Sequence, residues 1–228
     1  MELSESASLE EVARLLWNVE EGDPFEKQSP VLPPDWDVLF AATKNYNWLD
    51  QVSMLLPALE AANPRAHDLS KAGFLRSGAD VLRWGAALLL NQSRPAEGPI
   101  HRYIAARTGC GPRLEDAVRR VLVLAADQAL EPATYAVRAT ANTGATPYRC
   151  VLSGLAAATG NRQPSVRVVS FSRFIDEIGA AHDPTEPVKI RVREGQGIPG
   201  FGFSPFKTRD PRADALWFAL KDLSLIHI

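Results

Sequence analysis

The stretch Gly195-Gln-Gly197-Ile-Pro-Gly200 has the spacing G-x-G-x-x-G. That spacing cradles a dinucleotide pyrophosphate when it follows a strand and opens a helix. Here Pro199 falls inside the run, more Gly, Pro and Phe follow, and no strand–helix–strand pattern surrounds it. The run reads instead as a turn-rich loop whose glycines permit unusual backbone angles. Acid–base or metal chemistry would fall to His67, His101, His182 or His227. None of these stands near a Cys, Ser or carboxylate at triad or zinc-site spacing. His101 lies just after Pro99 at a helix start and His182 lies in a loop, which suits surface or packing roles. Cys110 and Cys150 make no disulfide framework and fit no metal spacing. They read as buried neutral thiols of a reduced compartment, from which a cytoplasmic location is expected. Arg119 and Arg120 read as a solvated helix face.

Composition narrows the partners. The net charge of −2, with Lys and Arg scattered, supplies no basic stripe for phosphate backbones, so nucleic acid is not expected. Apolar runs such as Ala86–Leu90 and Val121–Ala126 are too short to span a bilayer. The acidic start MELSESASLEE has no apolar core and is not a secretory signal. A hydrophobic share of 46% and a charged share of 23% are those of an ordinary globular protein.

The elements that position these residues have helical periodicity. Ser8 and Glu11 form a capping box ahead of an apolar stripe through Val12, Leu15 and Leu16. A second helix is predicted over about Leu49–Ala61, kinked or divided by Pro57. A third, over about Ala72–Leu90, has small and apolar residues on more than one face, which implies deep burial. Further helices are predicted at Ile100–Arg107, Arg113–Leu130, Ala133–Asn142, Pro147–Thr159, Val166–Ile178 and Pro211–Leu223. Pro-, Asn- and Gly-rich connectors separate them. Only Val188–Val192 alternates like a short strand, with Ile190 and Val192 on one side and Arg191 and Arg193 on the other. The fold class expected is all-α.

Three stretches carry a family resemblance. Ser8-Leu-Glu-Glu-Val-Ala-Arg-Leu-Leu-Trp17 resembles the "EEVAYLLW" helix of bacterial citrate synthases. The run VLVLAADQALEPATYAVRATANTGATPYRCVLSGLAAATG, from Val121 to Gly160, is similar to that family's "LVLHADHELNASTFTARV", its Pro-Tyr segment and its small-residue helix ending in "GPLHGG". Ile198-Pro-Gly-Phe-Gly-Phe-Ser-Pro-Phe-Lys-Thr-Arg-Asp-Pro-Arg-Ala213 looks like "PGFGHRVYKTRDPRA". Order and spacing agree across nearly the whole chain. The resemblance implies the multi-helical citrate synthase fold, with a large helical domain over 1–163 and the start of a small domain over 164–222. It also implies the family reaction, acetyl-CoA plus oxaloacetate to citrate (or a close variant), an acyl transfer of the tricarboxylic acid cycle, with acetyl-CoA as co-substrate and no permanently bound cofactor.

In that family a histidine hydrogen-bonds the forming enol, a second polarises the oxaloacetate carbonyl, and a third with several arginines holds its carboxylates. An aspartate removes the thioester methyl proton. Developing enolate and alkoxide charges need such donors in a site closed to water. At each histidine position this chain departs. Gln128 stands where "ADH" has its histidine, and Gln163 falls at that of "GPLHGG", followed by Pro164 and Ser165 in place of glycines. Phe203 replaces the histidine after the Gly-Phe-Gly run. What matches is Arg212 of Asp210-Pro-Arg212, either a carboxylate ligand or a helix-start residue paired with a neighbouring acid. The run Ile198, Pro199, Gly200, Phe201 and Gly202 also matches, in the region that cradles the CoA adenine.

The resemblance further implies residues before the first helix and a long segment after Arg212 carrying the catalytic aspartate. The tail Leu223–Ile228 corresponds to the codons CTG TCT CTT ATA CAC ATC of a sequencing adapter, and is expected to be read-through. Three expectations follow. One is a catalytically degenerate, non-catalytic or regulatory subunit, as a homodimer or a heterodimer with an intact citrate synthase. The others are an active condensing enzyme with an altered site, and a decayed gene fragment.

Overall fold

Helix-starting side chains recur ahead of the helical segments: Ser8 accepts the Glu11 N–H, Asn47 the Asp50 N–H and Ser70 the Gly73 N–H. The computed structural model describes residues 2–26, 31–127, 131–160, 164–199 and 210–220, with backbone alone at 164–169. Among these residues there are twelve α-helices, one 3-10 turn (Pro64–His67) and no strand, so the all-α reading holds.

The chain divides into two compact units, residues 1–155 with 211–228, and residues 156–210. The first unit holds α1 (Leu3–Ser6), α2 (Leu9–Leu16), α3 (Trp36–Thr43), α4 (Trp48–Ala62), α5 (Lys71–Leu89), α6 (Ile100–Thr108), α7 (Pro112–Leu124) and α8 (Pro132–Ala141). It also holds most of α9 (Pro147–Ala158) and all of α12 (Pro211–Leu220). Its main core joins α3, α4, α5 and α9 through Trp36, Leu55, Leu56, Leu59, Trp84, Leu88 and Tyr148. Burying side chains of this size contributes about 1.5–3 kcal/mol each before entropy is counted. A second cluster ties α5 to α6 through Ala86, Ala87, Ile100 and Tyr103. A third ties α1 and α2 to α7 through Ala7, Val12 and Val123.

Pro57 does not divide α4, which runs unbroken from Trp48 to Ala62; the apolar face it shares with Leu55, Leu56 and Leu59 sits in the core on both sides of the proline. The buried face of α2 is rotated from the expected stripe: Val12 is buried, but Leu15 and Leu16 are 64% and 58% exposed. Glu10, Ala13 and Trp17 share the inward face at i, i+3 and i+7, with Trp17 stacked on Phe25 at 5.6 Å. Arg119 is not on a solvated face. It is buried, and its guanidinium donates to the carbonyls of Ala7 (2.7 Å) and Glu5 (2.9 Å) and to Asp116.

The second unit contains α10 (Pro164–Ala180) and α11 (Glu186–Arg193). Thus Val188–Val192 is helix, not strand. Pro187 in the first turn pre-sets the backbone angle, and Lys189 pairs with Glu186 at 3.0 Å. Arg191 reaches Glu177 of α10 at 2.6 Å and lies 4.4 Å over the Phe174 ring. These contacts need the helical spacing of α11. An isolated strand would have no ladder to join.

Candidate functional site

The first unit carries a partly open cavity of about 910 Å³. It is walled by α2, α5, α6 and the loop leading into α6, with Tyr148 and Leu59 also in its lining. Glu10 comes from the inward face of α2 and is only 6% exposed. One of its carboxylate oxygens accepts the Ile100 N–H at 2.7 Å and the other has no protein partner. His101, the next residue, is equally buried and its Nδ1 is unpartnered. Burial holds its imidazole below the ordinary value, opposed by the charges of Glu10 and Glu115.

Arg83, on α5, enters the same cavity. Its guanidinium donates to the backbone carbonyls of Phe25 and Glu26, while Nε has no partner. Asp80, one turn earlier, is pushed up by burial, with Arg83 and Arg65 pulling the other way. The buried Tyr148 hydroxyl is pushed up to about 12 by burial and by the charge of Asp80. Arg14 and Asp23 pair at 2.7 Å at the cavity wall. A pocket of this size with a few buried polar groups falls in the range of small-molecule sites.

The sequence-derived positions lie elsewhere. Arg212 is half-buried in the first turn of α12 and is not among the residues lining this cavity. Ile198 and Pro199 follow α11 in the second unit and are half-buried. Gln128, Gln163, Gly200, Phe201, Gly202 and Phe203 lie outside the described residues. His67 and His182 are exposed, as their loop and turn positions suggest. Cys150 is buried, with its thiol pushed up by burial, and Cys110 is half-buried. No group of three or more His, Cys, Asp or Glu suited to a metal occurs among the described residues.

Sequence reasoning passed over Glu10 and Arg83 and gave His101 a bland role. The only signal available was a carboxylate sharing the i, i+3, i+7 face of α2 with Ala13 and Trp17. Such a residue reads as solvated until the loop before α6 is known to sit beside it.

Comparison with known proteins places the chain. A family model described as "Citrate synthase, C-terminal domain" matches residues 1–226. A citrate synthase of Haloferax volcanii is 30% identical over 95 residues, covering 42% of this chain and 25% of that protein. The crystal structure of citrate synthase from Thermotoga maritima MSB8 superposes on 100% of this chain and 65% of its own, with a TM-score of 0.71 at 22% identity. The chain therefore spans less than two thirds of the length of either relative. The superposition bears out the multi-helical fold expected from the three sequence motifs. The match over almost every residue establishes that this chain belongs to the citrate synthase family.

Proposed function

We propose that the chain is a catalytically degenerate member of its family that acts as a non-catalytic or regulatory subunit, paired with an intact citrate synthase in the cytoplasm. The observation that carries this reading is the occupation of three family histidine positions by Gln128, Gln163 and Phe203. An amide still donates a hydrogen bond but carries no positive charge, and phenylalanine donates none. Each lost donor or acid–base group costs on the order of 10²–10⁴ in rate, though not additively. The family substrates, acetyl-CoA and oxaloacetate, would then be bound at most: CoA along Ile198–Gly202 and a carboxylate at Arg212. Large apolar side chains left in solvent, Trp217 at 61% and Tyr135 at 72% exposed, support a protein partner.

The test is release of free CoA thiol from acetyl-CoA and oxaloacetate, by the purified chain alone and after co-expression with an intact synthase. The chain alone should give no release above background and should co-purify with the synthase. Citrate formed by the chain alone would instead establish a condensing enzyme that works through Gln128, Gln163 and Arg212. Neither activity nor co-purification would leave the fragment reading.

A further inference from the structure

Helices α1 and α2 are attached by small apolar clusters and by two polar ties. Ala7 and Val12 cluster with Val123 of α7, and Ala13 with Phe25 and Ala79, while Leu15 and Leu16 face solvent. These side chains bury far less apolar surface than the tryptophans and leucines of the main core. An element held so lightly opens at a lower free energy than the whole chain unfolds. Its polar ties are the Glu10 carboxylate on the Ile100 N–H at 2.7 Å, and Arg119 on the carbonyls of Ala7 and Glu5 at 2.7 and 2.9 Å.

His101 sits at this joint. It directly follows Ile100 in the first turn of α6, and the next residue, Arg102, pairs with Glu115 of α7 at 3.6 Å. Its side chain is buried and its Nδ1 has no protein partner. The charges facing it are Glu10 of α2, Glu115 and Arg119 of α7, and Arg102 of its own helix. A proton there puts a buried cation at the positive end of the α6 dipole, where a negative charge is favoured. Glu10 and Glu115 draw the proton on, but burial outweighs them and holds the imidazole below its ordinary value.

We infer that the joint is an acid-released latch: protonation of His101 detaches α1 and α2 from α6 and α7 while the main core stays folded. Helix α2 walls the partly open cavity, so the same step widens it. Once detached, His101 returns to water and to its ordinary 6.5, so the open form takes up the proton first as pH falls. The hold is complete above 6.5 and weakens below it by up to about tenfold per pH unit, until the lowered value of the closed form is passed.

The experiment is native-state hydrogen exchange with mass spectrometry on the full chain, from about pH 7.5 to about pH 5.5, each rate referred to its intrinsic rate. At every pH the helical amides of α1 and α2 should be at least about tenfold less protected than those of α4 and α5. Their opening should rise by up to about tenfold per pH unit below 6.5. His101→Gln, which takes up no proton, should keep the local opening but lose its pH dependence. Protection of α1 and α2 equal to that of the main core overturns the inference, since only global unfolding would then release them. A pH-independent opening overturns it too, as does a folded His101→Gln chain that keeps the slope. If His101→Gln does not fold, an imidazole NMR titration of the parent decides. The rise must then lie between 6.5 and the His101 midpoint, and a rise elsewhere overturns the inference.

Discussion

The carboxylate of Glu10 accepts the backbone N–H of Ile100 at 2.7 Å, across 90 residues of sequence. Helix α6 opens after Pro99, and no side chain from its own start caps it. Four N–H groups at a helix start need partners, and a negative charge there also meets the positive end of the helix dipole. Glu10 supplies both from α2, so the packing of α2 beside α6 is fixed by a cap as well as by apolar contact.

Glu10→Ala should therefore destabilise the protein by about 1–3 kcal/mol, because the Ile100 N–H is left buried without an acceptor. Glu10→Gln, which keeps the acceptor, should stay within about 1 kcal/mol of the parent. Urea unfolding followed by circular dichroism measures both. Equal losses for the two variants would show that charge, not the cap, is what matters.

Two glycines of α5 should respond in opposite directions to alanine. A Cβ on Gly73 would run into the backbone carbonyl and side chain of Asp68, whereas a Cβ on Gly85 meets nothing within 4 Å. Gly85→Ala should stabilise by about 0.5–1 kcal/mol through helix propensity alone. Gly73→Ala should lose about 1–3 kcal/mol, since a backbone carbonyl cannot swing aside as a side chain can. Thermal melts of the two variants separate the cases, and a gain for Gly73→Ala would show that the α5 start relaxes freely.

Trp36 meets Trp84 edge-on at 5.2 Å and its Nε1 donates to the Ser93 carbonyl at 2.8 Å. Trp36→Phe should cost about 1–3 kcal/mol, as the loop carbonyl loses its donor and a smaller ring fills the site. Trp36→Ala should cost about 3–5 kcal/mol. A small effect of Trp36→Ala in chemical denaturation would contradict its place in the core.

Stability should fall on acidification through the imidazole range. Burial holds His101 below 6.5, Arg102 and Arg119 add to this, and Glu10 and Glu115 oppose it. The folded state thus favours neutral imidazole, and the unfolded chain takes up the proton first as pH drops. This contribution is fully present above 6.5 and is lost as pH falls through the lowered folded value. Urea midpoints between about pH 8 and about pH 5 should show the decline, and His101→Gln should flatten it. An unchanged slope in His101→Gln would assign the decline to other groups.

Much of this architecture was legible in the sequence, and the misses have physical causes. The Ser8–Glu11 capping box forms with both bonds in place, and α5 is buried as its mixed apolar and small surface implied. Local signals of this kind survive because they depend only on near neighbours. Helix α3 was passed over because it lies just beyond Pro33 and Pro34, in a segment that reads as connector. Its burial comes from Trp36 meeting Trp84, a contact 48 positions away by number. Val188–Val192 alternates like a strand, yet α11 is held by Arg191 reaching Glu177, again a non-local partner. Arg119 reads as an ordinary surface charge and Glu10 draws no notice for the same reason. Their partners, Ile100 and Ala7, are brought to them only by the fold.

The hydrogen bonds of Arg119 to Ala7 and Glu5 span 112 and 114 residues. The chain is made from its amino end, so α1 and α2 leave the ribosome long before the side chain that anchors them exists. Closing so long a loop costs entropy that only the finished α7 repays. Helices α1 and α2 therefore dock late in folding, and the faces they turn to α7 stay uncovered until that helix has been made.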